Sequence, residues 1–509
     1  MTNSTETNTK KPRPKWRWLK LGVFAVVVFI TLLAAVVVFE NWRGRRAWAN
    51  YRAELEAKGE VLDWRKLVPQ NIPDEQNFAK TPLLAPLTEF QLDPATGQVV
   101  YSDPDARKRI DDIFEGIQKV RGLGYWRKVE MTDWPAVQSE LRSQTNSEVA
   151  EFQALMIRKP GRPVDDLQFL FSFSKDEMNE IAAAANRSYS SFGSRADKDS
   201  SVLLSQLGVV KTLAFAFVVR ARVELLAGDT DAALADWQTA TSLGEALDGD
   251  PLLISLLVTI AVTEGPLQIV WDGLAQHQWS DAQLLEIQTT LEKRNLVGDA
   301  ARALRGERAF SVRLMDQTLF PGGPPATNPP GWIQKFLLPS IISQNKISMS
   351  RIYDEHALPL LDVGGNRVRV AGIDSSEQEL LAALNGFAPY NLLARGLVPA
   401  VTKTLGKVAN VQNSINMAMV ACALERHWLA EGSYPLELNA LVPKYLDSIP
   451  LDLDEQPLRY RLEPDGSFIL YSVGIDLKDD QGRIGKEDGT FTHEEGDWVW
   501  KYPDVQKQE

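Results

Sequence analysis

The densest set of groups able to do chemistry lies near the C-terminus. Asp476, Asp479, Asp480, Glu487, Asp488 and Asp497 all follow Gly474 closely. Carboxylates are hard oxygen ligands, and a calcium ion takes about six to eight such oxygens. The spacing is not that of an EF-hand. Counted from Asp476, the third position is Lys478, the sixth is Gln481, and the glycine, Gly482, falls at the seventh. Asp476, Asp479, Asp480, Asp488 and Asp497 are therefore the candidate metal ligands, with a solvated acidic loop as the plainer reading.

Other constellations offer less. Arg302, Arg305, Glu307 and Arg308 cluster around Gly306. Guanidinium forks suit a carboxylate or a phosphate, but a solvent-facing helix with local ion pairs accounts for them too. Trp237, Trp271 and Trp279 could line a groove; helix-packing core is the favoured account. His277, His356, His427 and His493 form no i,i+4 pair and no His-Glu-x-x-His. Cys422 lies on an apolar helix face and reads as a buried, inert thiol. Nucleophile-elbow, phosphate-loop and dinucleotide fingerprints are absent from the sequence. No residue is singled out as catalytic or cofactor-binding, and enzyme function is disfavoured.

The elements that must position these groups follow from composition and patterning. The chain has 509 residues, 44% hydrophobic and 24% charged, a globular composition too long for one typical core. One cysteine excludes an internal disulfide and any Cys-cluster metal site. The formal charge of −12 is unevenly spread. Lys10, Lys11, Arg13, Lys15, Arg17 and Lys20 face only Glu6 in the basic tail, so the acidity belongs to the rest. An acidic body argues against nucleic acid as a partner.

After that tail, Leu21 to Phe39 is a run of 19 residues without a charge. As a helix it is about 28 Å long, against a hydrocarbon core of roughly 30 Å. Trp16 and Trp18 flank one end and Trp42 the other, as interfacial aromatic belts do. Six basic residues precede the run; Arg43, Arg45 and Arg46 follow it. The asymmetry favours a cytoplasmic N-terminus and an extracytoplasmic bulk. The run is longer than the core of a cleaved signal peptide and ends Val36-Val37-Val38-Phe39, which predicts an uncleaved signal-anchor. Leu252 to Val262 is shorter and carries Ser255 and Thr259, so it reads as a buried core helix.

The body predicts a mainly α fold. Residues 1–20 are the basic tail, 21–39 the transmembrane helix and 40–104 a loop-rich juxtamembrane segment. That segment opens with a charged helix to about Gly59; Pro69, Pro73, Pro82, Pro86 and Pro94 then forbid a long one. Residues 105–320 form a helical array. Val202–Ala227 is stopped by Gly228-Asp229, Thr230 or Asp231 caps the next helix, Asp250-Pro251 caps another, and Ser280-Asp281 starts a fourth. Residues 321–331, rich in Pro and Gly, are a linker or loop. Residues 332–407 form a second helical segment, with Val368–Val370 as a short strand and Glu377–Leu384 as a helix.

Residues 408–509 change character. A helix over Val401–Ala430 ends at Gly432, and Leu458–Arg461, Phe468–Val473 and Trp498–Trp500 read as strands, with Pro464-Asp465-Gly466 turning between the first two.

Two local resemblances stand beside this reading. Ala221, Leu225, Gly228, Asp229, Ala232, Ala233, Leu234 and Ala240 resemble one tetratricopeptide hairpin. No second copy follows, so an ordinary helix hairpin is favoured. More specific is the order Gly432-Ser433-Tyr434-Pro435, Leu441-Val442-Pro443-Lys444-Tyr445-Leu446, Ile449-Pro450-Leu451-Asp452, Pro457-Leu458-Arg459-Tyr460-Arg461, Asp465-Gly466-Ser467-Phe468 and Leu470-Tyr471-Ser472-Val473-Gly474. Over about residues 408 to 482 it resembles the soluble domain of type II secretion major pseudopilins. The resemblance implies a helix packed on a small antiparallel sheet and a C-terminal loop that binds calcium. The chain departs from that family at its start. No prepilin leader precedes Leu21, and the apolar run holds no glutamate; Glu40 lies just beyond it. A processed, polymerising pilin is not expected. The chain as a whole resembles uncharacterised bacterial membrane-anchored proteins.

Together these features predict a single-pass protein of a bacterial inner membrane. It acts as an extracytoplasmic binding or assembly scaffold, linked to secretion or envelope organisation, with the membrane and another protein as partners. The alternatives are an anchored hydrolase with a dispersed site in the helical body, and an envelope protein ordered by calcium.

Overall fold

The computed structural model describes residues 16–68, 72–93, 99–144, 149–185, 187, 200–247, 250–318, 338–385, 388–487 and 490–503. Among these the fold is mainly helical. The chain opens with α1, Trp16–Ala57, a single helix of 42 residues. The apolar run and the charged helix predicted after it are one element. From Leu21 to Phe39 the large apolar side chains other than Val37 lie exposed, and the helix is long and apolar enough to cross a membrane.

The proline-rich stretch that follows is built as expected from short pieces: α2 (Trp64–Leu67), a series of 3-10 turns, and the hairpin of β1 (Phe90–Leu92) with β2 (Val99–Tyr101). Its turns bury Phe78, Ala79, Leu84 and Leu87. Five helices then wrap the edge of the body: α3 (Ala106–Gln118), α4 (Trp134–Ser143), α5 (Ala150–Ile157), α6 (Pro163–Phe171) and α7 (Lys175–Ala184).

The centre is an antiparallel array of α8 (Ser200–Ala227), α9 (Thr230–Glu245), α10 (Leu253–Ala275), α11 (Asp281–Glu292) and α12 (Leu296–Thr318). Local chemistry sets the joints. Gly228, at φ +82°, lets the chain turn out of α8. Asp229, not Thr230 or Asp231, caps α9 by accepting the Ala232 N–H at 3.0 Å. Ser280 and Gln283 form a capping box on α11. Asp250 does not cap α10: its carboxylate takes the Ser255 hydroxyl at 2.7 Å. The predicted core helix is α10, which packs against α8, α9 and α12. Where α12 crosses the loop before α10, a Cβ at Gly306 would fall 1.8 Å from the Pro251 carbonyl oxygen, so only glycine fits.

The predicted Pro/Gly linker at 321–331 lies outside the described residues. Beyond it, α13 (Leu338–Arg351) runs into a π-helical turn at Ile352–Ala357. A ribbon of β3 (Leu361–Asp362) and β4 (Arg367–Val368) and the helix α14 (Ile373–Ala383) follow. The helix α15, Ala388–Glu431, begins earlier than its apolar stripe suggests and runs on through Pro399. The position 408 therefore falls inside one helix. Gly432, at φ +76°, ends it, its N–H donating to the Trp428 carbonyl at 2.8 Å.

The predicted C-terminal strands form. β5 (Arg459–Leu462) pairs antiparallel with β6 (Phe468–Ser472), Arg459 opposite Tyr471. The short pair β7 (Lys486–Glu487) and β8 (Thr490–Phe491) lies in the following loop. β9 (Trp498–Trp500) adds to the free edge of β6. Buried Asp452 ties this sheet to α15, accepting from Asn413 (2.9 Å), Ser472 (2.6 Å), Arg459 (2.9 Å) and the Val473 N–H (3.0 Å). One hydrophobic cluster runs from Phe78 to Trp500. The Trp126 and Trp500 rings lie 4.9 Å apart within it, where the body meets the sheet.

Candidate functional site

The acidic loop is organised around its own backbone. Asp476 accepts the Lys478 N–H at 3.2 Å, and Asp479 the Gln481 N–H at 2.8 Å. Asp480 pairs with Arg483 at 3.1 Å. Asp497 is buried and accepts the amides of Asp480 (3.2 Å) and Gly482 (2.6 Å). Burial raises its carboxyl above the usual carboxylate range. These are turn-forming bonds of the kind short acidic side chains make in loops. Asp488 lies outside the described residues. Among the described residues, no three or more His, Cys, Asp or Glu side chains converge to share a cation.

The arginine cluster is a different object from the predicted solvent-facing helix. Arg302 is exposed and pairs locally with Asp299. Arg308, however, is fully buried. Its guanidinium donates to Glu60 at 2.6 Å and to Asp354 on the π-helical turn. Arg305 reaches Glu60 at 3.2 Å, and Tyr51 of α1 donates to Asp354 at 3.3 Å. Burial works against the Glu60 carboxylate, but the two arginines outweigh it and hold it below the usual range. The partners lie far away in sequence, so local spacing could not reveal them. Around this knot, Gly44 packs against Ser340, Asn41 accepts the Ser340 N–H at 3.0 Å, and Tyr390 donates to Glu40 at 3.1 Å. The part of α1 beyond the apolar run is thus fastened along α13.

Trp237, Trp271 and Trp279 are all fully buried core side chains. Trp271 donates to the Lys501 carbonyl at 3.0 Å. Cys422 is fully buried, and burial pushes its thiol well up. It is poorly placed as a nucleophile.

One chemically suggestive pair was not visible in the sequence. His277 follows α10 at φ +51°. Its N–H donates to the Leu274 carbonyl, and that of Gln278 to Gly273, a left-handed helix end usually given to glycine. This turn lays the imidazole on Trp428, 4.1 Å between ring centroids, with Nδ1 2.7 Å from Oε1 of Glu425. Glu425 is buried, and its other oxygen accepts the Tyr434 hydroxyl at 2.7 Å. The hydrogen bond to Glu425 raises the His277 pKa above its ordinary value. A carboxylate on Nδ1 fixes the ring and leaves Nε2 to exchange a proton with an outside group. The residues stand 148 apart in sequence, and no motif links them.

Asp250 and Glu307 are a second unusual pair. Burial holds the Asp250 carboxyl up at about 6 and also raises that of Glu307, which the Asp250 charge pushes up further. Glu307 accepts the Leu253 N–H at 3.1 Å.

No protein-family model, no curated protein and no solved structure matches the chain.

Two outcomes follow from these contacts. Arg308→Ala takes the guanidinium from Asp354 and leaves Glu60 with Arg305 alone, and is expected to destabilise the protein by about 3–5 kcal/mol, against less than about 0.5 for exposed Arg302→Ala; chemical denaturation reads the difference. His277 carries a folded-state pKa raised above the unfolded value near ~6.5. Its contribution is complete below that pH and is lost as pH rises through the folded value. The melting temperatures of wild type and Glu425→Gln should therefore differ more at pH 5.5 than at pH 9, as a pH series of thermal melts measures.

Proposed function

We propose that this chain is a single-pass, membrane-anchored scaffold whose helical body binds or assembles another protein outside the cytoplasm. The observation that carries the reading is the continuity of α1. The exposed apolar run passes without a break into a segment fastened to the body through Glu40, Asn41, Gly44, Tyr51 and the Glu60–Arg308–Asp354 pairs. The charge asymmetry across the run supports a cytoplasmic N-terminus. The C-terminal helix and sheet, which resemble a pseudopilin head in sequence, supply a second surface and the link to secretion or envelope organisation.

Fractionation with an alkaline wash, followed by protease treatment of spheroplasts, tests the arrangement. The full-length chain should stay in the membrane pellet and lose its body to external protease. A body protected inside intact spheroplasts, or a mature chain trimmed after Phe39 and freely soluble, rejects it.

A second reading, an anchored hydrolase, draws on the oriented His277–Glu425 pair, which could take a proton from an attacking water. The purified chain should then hydrolyse simple nitrophenyl esters, with His277→Gln lowering turnover at least about 100-fold, the scale of general-base catalysis. Equal turnover in the two proteins rules this reading out.

A further inference from the structure

An open recess of about 530 Å³ lies along α1 just past the apolar run, lined by Val38, Asn41, Trp42, Arg45 and Arg46. These positions recur at three- and four-residue steps, so they share one helix face. The recess is graded along the helix. Val38 closes the apolar end, Trp42 occupies the middle beside Phe39 with ring centroids 6.0 Å apart, and the guanidinium groups stand at the far end. Arg46 lies 5.7 Å from the Trp42 ring centroid.

The charges differ in availability. Arg43 is spent on Glu40 at 2.6 Å. Arg45 and Arg46 are exposed and have no carboxylate partner among the described residues. Arg45 is six residues past Phe39, a rise of about 9 Å, and helical side chains lean toward the N-terminus. Here that lean points back toward the apolar run. If α1 crosses a bilayer, both guanidinium groups reach the headgroup layer, roughly 5–8 Å thick. Forked donors suit a phosphate there, and Trp42 sits at the depth where indoles prefer to lie.

We infer that this recess binds the phosphate of an acidic phospholipid headgroup, with Arg45 and Arg46 on the phosphate and Trp42 and Val38 against the glycerol and the first acyl carbons. The inference rests on the membrane-spanning reading of α1. Its phosphate chemistry would also suit free inorganic phosphate, which the test separates.

The full-length protein is delipidated in detergent, reconstituted into nanodiscs of defined composition, and examined for retained lipid by native mass spectrometry. Phosphatidylglycerol should be retained at least about fivefold over phosphatidylcholine. The double variant Arg45→Gln, Arg46→Gln should bring that ratio below about twofold with an unchanged circular dichroism spectrum. Arg52→Gln, which removes a charge already paired with Glu56, should keep it. Millimolar inorganic phosphate should not displace the lipid. A wild type without headgroup preference, a double variant that keeps it, or full displacement by phosphate overturns the site while leaving the anchor intact. Failure of the wild type to enter nanodiscs overturns the anchor and the site together.

Discussion

The guanidinium of Arg308 is the point on which the architecture turns. It is buried, it bridges Glu60 and Asp354, and it thereby holds three remote segments against one another: the stretch just past α1, α12 and the π-helical turn. A buried arginine is tolerable only when its charge is balanced. Both carboxylates are therefore needed, and each comes from a different segment. The extra residue of a π-helical turn re-aims side chains, and here Asp354 lies on it. The interaction does little for net stability over an apolar equivalent, but it fixes which surfaces meet.

The C-terminal region depends on the same logic. Apolar burial joins it to the body, since one cluster extends from Phe78 to Trp500. Polar contacts then set the register. Trp271 finds the Lys501 carbonyl, Gln288 the Tyr445 carbonyl at 2.6 Å, and His277 the Glu425 carboxylate. Each is a side chain of the helical array satisfying a group of α15 or of the chain after it. The sheet and the array are thereby packed in one arrangement.

Patterning read the local elements well. The apolar run, the joints at Gly228 and Ser280, and the strands around Pro464-Asp465-Gly466 are set by neighbours within a few residues, so the sequence displays them directly. Boundaries were less legible. Asp250-Pro251 has the composition of a cap, yet burial turns the carboxylate to Ser255. The start of α15 was hidden by Pro399, which tertiary packing tolerates inside a long helix. Least legible were the pairs made by folding. Arg308 looked like a surface residue, and His277 and Glu425 looked unrelated, because nothing in local spacing encodes a contact across such separations. The aspartates after Gly474 were conspicuous by composition, but Asp476, Asp479 and Asp497 serve the loop's own amides and Asp480 pairs with Arg483.

The unbroken course of α1 has a mechanical corollary. Eighteen of its residues lie past Phe39, about 27 Å of rod, and the globular mass is bolted along them instead of hanging from a slack cord. Tilt or rotation of the apolar run is consequently passed on as tilt or rotation of the body packed along the rest of α1.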